Sequence, residues 1–263
     1  FIIRLIPNYV SRYAGNAGWT APIYCGILLL GIVWVIQKIY KQYPTQSFDE
    51  ILTDIFGKAL SRIILSLYAI WLFLTCSTYL RYYTERFQGS IIKYTTTEVL
   101  LIAMLILIAI GFWYGIKSIG RLAELTYPIT VFFMLLIVIL SIPRMRVENF
   151  LPISYLDLIP TMKGSLASSA SMGYLIMVFF LADQLKKKDE FGKRGGKAVL
   201  FQTIFTTVIT FSSIAVNGSS VCTRVSIPFY VLAKQLKVFG VLERFEPILV
   251  VVWMISDFVL ISV

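Results

Sequence analysis

Histidine is absent from this chain. That gap excludes histidine general bases, Ser-His-Asp triads and HExxH zinc sites. Charged side chains are also scarce, at 14% of residues against about 25% in an ordinary soluble domain. The three cysteines, Cys25, Cys76 and Cys222, fall into no CxxC pair and no disulfide framework. No GxxxxGK[ST] phosphate loop occurs, and residues 192–197 read as a flexible basic turn. A net charge of +10 would suit nucleic acid, but the charges sit mostly in short loops between apolar runs, and no basic domain exists to dock a duplex. Nucleic acid is therefore not an expected partner. The tripeptide Asn217-Gly218-Ser219 matches a glycosylation acceptor, a pattern frequent by chance.

Hydrophobic residues, by contrast, make up 58% of the chain, and its mean hydropathy is +0.80. Crossing about 30 Å of hydrocarbon takes roughly 20 apolar residues in a helix. Seven stretches approach that length, at residues 19–39, 63–83, 99–113, 122–142, 161–185, 198–216 and 247–263. The opening residues 1–13 read as the end of an eighth span. The expected fold class is an all-α polytopic membrane protein, with residues 1–263 forming one transmembrane domain. The chain opens at Phe1 without Met and stops inside an apolar run, so a fragment cut at both ends is expected. Trp19, Trp34, Tyr40, Tyr43, Tyr82, Tyr83, Tyr94, Trp113 and Tyr114 stand near the span boundaries, where amphipathic rings prefer the headgroup layer.

Residues 186–197 carry six cations in twelve positions. With this loop in the cytoplasm, Lys38, Lys41, Lys58, Arg62, Lys117 and Arg121 lie there as well, giving twelve cations inside and twelve in the longer opposite loops. The short-loop form of the positive-inside rule favours that orientation. Ser47-Phe48-Asp49-Glu50 has capping-box spacing and opens an interfacial helix leading into the second span. Residues 225–245 alternate apolar and basic positions, as in an amphipathic helix that either packs on its own bundle or meets a partner.

Candidate chemistry lies within the spans. Gly164, Ser165, Ser168, Ser169, Ser171 and Gly173 cluster in the fifth, whose second half is greasy. One reading is an unwound stretch whose freed backbone amides, at the start of a half-helix near Tyr174, face a carboxylate. The other is close packing, because small residues line membrane helix interfaces and Ser165, Ser169 and Gly173 follow small-xxx-small spacing. Asp257 lies about mid-membrane in the seventh span, where a carboxylate facing lipid costs ~3 kcal/mol or more. It either partners a proton or an ammonium, or lies near an interface. Phe73 and Ser77, four apart in the second span, fit one shared site, or a helix face bonded to its own backbone. No metal or cofactor is expected. Catalysis is not expected either, because Asp257 is the one ionisable group in a span core.

Longer motifs point to a family. Residues 44–58, PTQSFDEILTDIFGK, are followed by Leu67-Tyr68-Ala69; residues 114–124, YGIKSIGRLAE, are followed by Tyr127-Pro128. Asn149-Phe-Leu-Pro152, Lys163-Gly-Ser165, Leu242-Glu-Arg-Phe-Glu246 and Val252-Trp-Met-Ile255 complete the set. Together they resemble the B-subunit permease of endospore germinant receptors, in the amino acid–polyamine–organocation superfamily, over nearly the whole chain. The resemblance implies a leucine-transporter-like fold of two inverted five-helix repeats with helices one and six broken. This chain would then run from late in helix one to helix eight. It further implies a bacterial spore inner-membrane location, other receptor subunits as partners, and a small nutrient, an amino acid above all, as ligand. Its pocket would be lined by Phe73 and Ser77, by Ser168, Ser169, Ser171, Met172 and Gly173, and by Ser256 and Asp257. Where the family commonly shows aromatic or Pro-Phe-Gly-like residues in broken helix six, this chain reads Ala170-Ser-Met-Gly173, so ligand preference does not carry over. The alternative is an ion-coupled amino acid or amine transporter on the same fold.

Overall fold

The computed structural model describes residues 2–90, 96–172, 177, 179, 190–236 and 245–262. Every regular element among them is helical: α1 Ile2–Ala14, α2 Ala21–Gln42, α3 Phe48–Ser90, α4 Thr97–Tyr114, α5 Ile116–Ser141, α6 Leu158–Met172, α7 Phe191–Asn217, α8 Ser219–Arg224, α9 Pro228–Gln235 and α10 Phe245–Ser262. Short 3-10 turns join several of these, the longest being Gly15–Thr20 between α1 and α2. Five stretches are long and apolar enough to cross a membrane: Ile3–Gln42, Phe48–Tyr82, Thr97–Tyr114, Lys117–Arg144 and Phe191–Asn217. They contain five of the seven expected spans. The seventh coincides with α10, and the fifth begins in α6 and runs on past the described residues.

Local rules account for the helix boundaries. At the start of α3 the Ser47 N–H donates to Glu50 Oε2 at 2.9 Å, and the Glu50 N–H lies 3.5 Å from Ser47 Oγ, as the expected capping box requires. Gly57, at φ 77°, then kinks α3 and divides the interfacial turn from the span. Tyr43, just before this turn, donates its hydroxyl to Asp54 at 3.0 Å, which raises the phenol pKa.

Two compact units emerge. The first comprises residues 62–137 and 237–263, where α10 packs on α4. Its large side chains are mostly exposed, as a bilayer solvent permits: Phe112 is 84% and Trp113 89% exposed.

The second unit comprises residues 2–61 and 138–236. Here α2 packs against α7, and α1 against α6, α7 and α8. Its apolar core includes Ile6, Val10, Cys25, Leu29, Val33, Ile36, Phe191, Val199 and Ile214. At one end Tyr40 meets Phe179 and Phe191 edge-on, both at 5.4 Å, and Phe48 stacks on Phe179 at 5.0 Å. Phe179, from the greasy half of the fifth expected span, thus helps to close that end.

The opposite end is closed by amides. The chain has four asparagines, and all four meet there. Asn8 of α1 places its amide nitrogen 2.8, 3.1 and 2.7 Å from the carbonyls of Cys222, Thr223 and Val225, its two N–H groups shared among acceptors that the end of short α8 leaves open. Asn149 donates to Ala215 O at 2.8 Å, a terminal carbonyl of α7 that also takes the Arg146 N–H at 2.9 Å. Asn217 donates to Pro228 O at 3.1 Å, and Ser219 donates to Asn16 Oδ1 at 2.6 Å. Between them Gly218, at φ 78°, makes the turn from α7 into α8, and a Cβ there would stand 3.3 Å from Asn149 Oδ1. The apparent acceptor tripeptide is therefore a structural junction whose asparagine is already engaged.

Residues 228–236 pack on their own protein, with Phe229 and Leu232 fully buried against the bundle, while the Lys234 ammonium lies 4.7 Å above the Tyr230 ring. That favours the packed reading over the partner surface for this part of the expected amphipathic segment, whose residues 237–244 lie outside the described residues.

Replacing Asn8 by leucine removes both N–H donors from these carbonyls. An unmet buried acceptor costs about 1–3 kcal/mol. The variant is expected to unfold at lower temperature than the parent, by that order of free energy. An unchanged midpoint in a detergent melt would contradict the role given to Asn8.

Candidate functional site

The small-residue stretch of the fifth expected span is helical through Met172. The expectation of an unwound backbone across residues 164–172 is corrected here, and the reason lies in the hydroxyls. Ser165 donates to Met162 O at 2.7 Å, Ser168 to Gly164 O at 3.0 Å and Ser169 to Leu166 O at 2.8 Å. Each of these three serines hydrogen-bonds inside its own helix, the ordinary arrangement of a hydroxyl on an intact helix in an apolar surround. Gly173 and Tyr174 lie outside the described residues. Ser171 and Met172 belong to the last turn of α6.

Close packing also has direct support. A Cβ on Gly164 would lie 3.6 Å from Val10 Cα and Tyr13 Cβ of α1, and 3.7 Å from Ala21 Cβ of α2. Ser168 is fully buried, Ser165 nearly so, and Ser169 half-buried. The small residues therefore let α1 lie against α6, which brings two functional candidates, the α6 serines and the polar residues of α1, into one core.

The remaining candidates belong to the other unit. Phe73 is 71% exposed there, and Ser77 donates to Phe73 O at 2.8 Å, a helix face bonded to its own backbone. Thr78 does the same with Leu74 O at 2.8 Å. Asp257 is 7% exposed and shares the buried side of α10 with Trp253 and Met254, while Ser256 is half-buried. Asp257 is engaged within the protein. The structure thus groups the α6 candidates in one unit and those of α3 and α10 in the other.

Buried polar residues of α1 were not among the expected candidates. Arg4, Asn8 and Ser11 are 2%, 4% and 3% exposed. The sequence carries a signal for them: an arginine inside the run Phe1-Ile-Ile-Arg-Leu-Ile6, which pays for its place only if it meets protein rather than lipid. Burial pushes the Cys222 thiol up to about 12, with the neighbouring Ser11 hydroxyl opposing the rise, and the thiol donates to Ser213 O at 3.5 Å. The described residues contain no group of three or more His, Cys, Asp or Glu placed to hold a metal ion.

Comparison with known proteins gives this arrangement a context. The family profile described as spore germination protein matches residues 3–263. This chain belongs to the spore germination protein family. Among relatives from Bacillus subtilis (strain 168), spore germination protein YndE is 27% identical over 266 residues, covering 97% of this chain and 71% of the relative. Spore germination protein A2 is 23% identical, covering 96% and 70%. The putative spore germination protein YfkT is 22% identical, covering 95% and 69%.

Two outcomes test the packing. Gly164→Ala places its methyl at ordinary contact distance and is expected to be tolerated, whereas Gly164→Leu overpacks the α1–α6 contact at about 1–3 kcal/mol; equal melting of the two variants would refute the close approach. Cys222 is expected to resist maleimide at pH 8 in the folded protein and to react after denaturation, because its thiol stays protonated and buried. Rapid native labelling, read by mass spectrometry, would show the site to be open.

Proposed function

We propose that this member of the spore germination family is the membrane subunit of a germinant receptor. In this reading it binds a small nutrient, an amino acid above all, within the bundle and signals to associated receptor subunits. The observation that carries the reading is the family match across residues 3–263. Five helices of spanning length supply the membrane setting, and the proposed site is the spore inner membrane. The leucine-transporter-like inverted repeat belongs to the same proposal, with α6 as the first part of its broken helix six.

The proposed mechanism needs no catalytic step and no cofactor. A ligand that binds one arrangement of the bundle better than another shifts the population by that difference in affinity. Within the unit that holds α10, Asp257, beside Ser256, is proposed as the partner of an ammonium group. A midplane carboxylate such as Asp257 is the natural partner for an ammonium group.

Proteoliposomes carrying the intact protein and labelled amino acids separate receptor from transporter. Saturation near one ligand per protein, unaffected by collapse of ion gradients, is the expected result. Continued accumulation that the collapse abolishes would make the protein a transporter. Asp257→Asn is expected to weaken amino acid binding at least ten-fold with membrane insertion unchanged, and undiminished binding would remove Asp257 from the site.

A further inference from the structure

α2 and α7 lie antiparallel, and their contacts fix the register. Gly26 packs directly on Thr203, and a Cβ on Gly195 would lie 3.4 Å from Val33 Cγ1. The Gly192 N–H donates to the Gln37 carboxamide oxygen, and Tyr40 meets Phe191 edge-on at 5.4 Å. As α2 advances from residue 26 to 40, its neighbours on α7 fall back from 203 to 191. The last turns of α2 and the first turns of α7 therefore share one level.

Both helices turn one side to the core, through Leu29 and Ile36 on α2 and through Phe205 and Ile209 on α7. Periodicity then sets what faces away. On α2, Ile23, Ile27, Trp34, Lys38 and Lys41 are exposed and follow one another at spacings of four, seven, four and three. On α7, Lys193, Lys197, Leu200 and Ile204 are exposed at spacings of four, three and four. At about 100° per residue each set keeps within about 60° on its own helix. Each is one stripe, and because the two helices share a core, both stripes open on the same outer side of the pair.

The two stripes are divided alike. Their deeper halves are aliphatic, and their ends at the shared level are cationic. Where the halves meet stands Trp34, 59% exposed, with the Lys38 ammonium 3.8 Å from its ring centre. Gly196, half-buried at the edge of the helix contact, leaves room there, since a Cβ on it would meet nothing within 4 Å. Among the described residues, Lys38, Lys41, Lys193 and Lys197 form no ion pair. Acids of the same end are engaged elsewhere: Glu190 with Arg194 at 2.7 Å, Glu50 with the Ser47 N–H and Asp54 with the Tyr43 hydroxyl.

Like charges gathered without counter-charges attract an anion. A small free anion would use the ammonium groups and nothing else. An anionic phospholipid uses the whole surface, with its phosphate at the lysines, its glycerol level at the amphipathic indole and its chains on the aliphatic halves.

We propose that the outer α2–α7 groove binds an anionic phospholipid, its headgroup held by Lys38, Lys41, Lys193 and Lys197 and its chains along Ile27 and Ile204. The groove faces lipid and uses none of the residues proposed for the nutrient, so it depends on the membrane setting and not on the receptor reading.

The test reconstitutes the intact protein in nanodiscs of equal phosphatidylglycerol and phosphatidylcholine, releases it into detergent and counts the retained lipids by native mass spectrometry. Phosphatidylglycerol is expected to be retained in clear preference. Lys38→Gln with Lys193→Gln, one change on each helix, is expected to lower that preference about five-fold or more, the scale of one well-placed cation at an anionic surface. Lys117→Gln with Arg121→Gln removes the same charge from exposed positions of α5 and is expected to leave the preference intact. All four positions are exposed, so both double variants should fold as the parent does. Equal retention of the two lipids by the parent, or an unchanged preference in the α2–α7 variant, overturns the proposal. An equal loss in the α5 variant overturns it as well, by reducing the effect to overall charge. Displacement of the retained lipid by millimolar inorganic phosphate would make the groove a site for free anions and overturn the lipid assignment.

Discussion

A helix inside a membrane satisfies its own backbone until it ends, and each end leaves up to four carbonyls with no intrahelical donor. The second unit ends several helices at one place: α7 stops, α8 is six residues long, and α9 begins after a further turn. The free carbonyls of Ala215, Cys222, Thr223 and Val225 would be costly there without donors. Side-chain amides meet the need because a carboxamide brings two N–H donors and no charge. With its asparagines all placed at this junction, the chain spends its best neutral donors where the backbone is least able to help itself. The packing of α1 follows from this, since Asn8 fixes its depth against α8 before any apolar contact is counted.

The two ends of this unit are closed by different physics. Tyr40, Phe48, Phe179 and Phe191 form the far end from ring edges and faces, an arrangement with no hydrogen-bond direction to satisfy. The asparagine end is directional and polar. Between them α1 and α6 approach closely across Gly164, and the polar side chains of the interior lie on α1, α6 and α7. Such an interior has a low local dielectric, which strengthens the polar contacts made within it.

Much of this was legible in residue order. Spans are read from length and apolarity, and the capping box of Ser47 and Glu50 from local spacing, because both depend on residues near in sequence. The serines of α6 were legible as a group, but whether they unwound or packed was not. That depended on Val10, Tyr13 and Ala21, more than 140 residues away and recognisable as neighbours only in the fold. Asn217 illustrates the same limit, since its local tripeptide suggested modification while its true partner, Pro228 O, lies across a turn. Arg4 was missed although its apolar flanks marked it, because the opening residues were weighed as the remnant of a span and not as a wall of the core.

A nutrient acting through this core would have to discriminate between two arrangements, and the scale of that task can be bounded. A hundred-fold preference corresponds to about 2.7 kcal/mol. The two N–H donors of Asn8, at a net ~0.5–1.5 kcal/mol each, total the same order. The energy that seats α1 is thus comparable with the energy one small ligand can supply. Contacts to α1 are therefore where a bound molecule would have most leverage on the rest of this unit. Contacts confined to a helix that bonds its own hydroxyls, as Ser77 does with Phe73, change little when occupied, because nothing in the neighbouring structure depends on them.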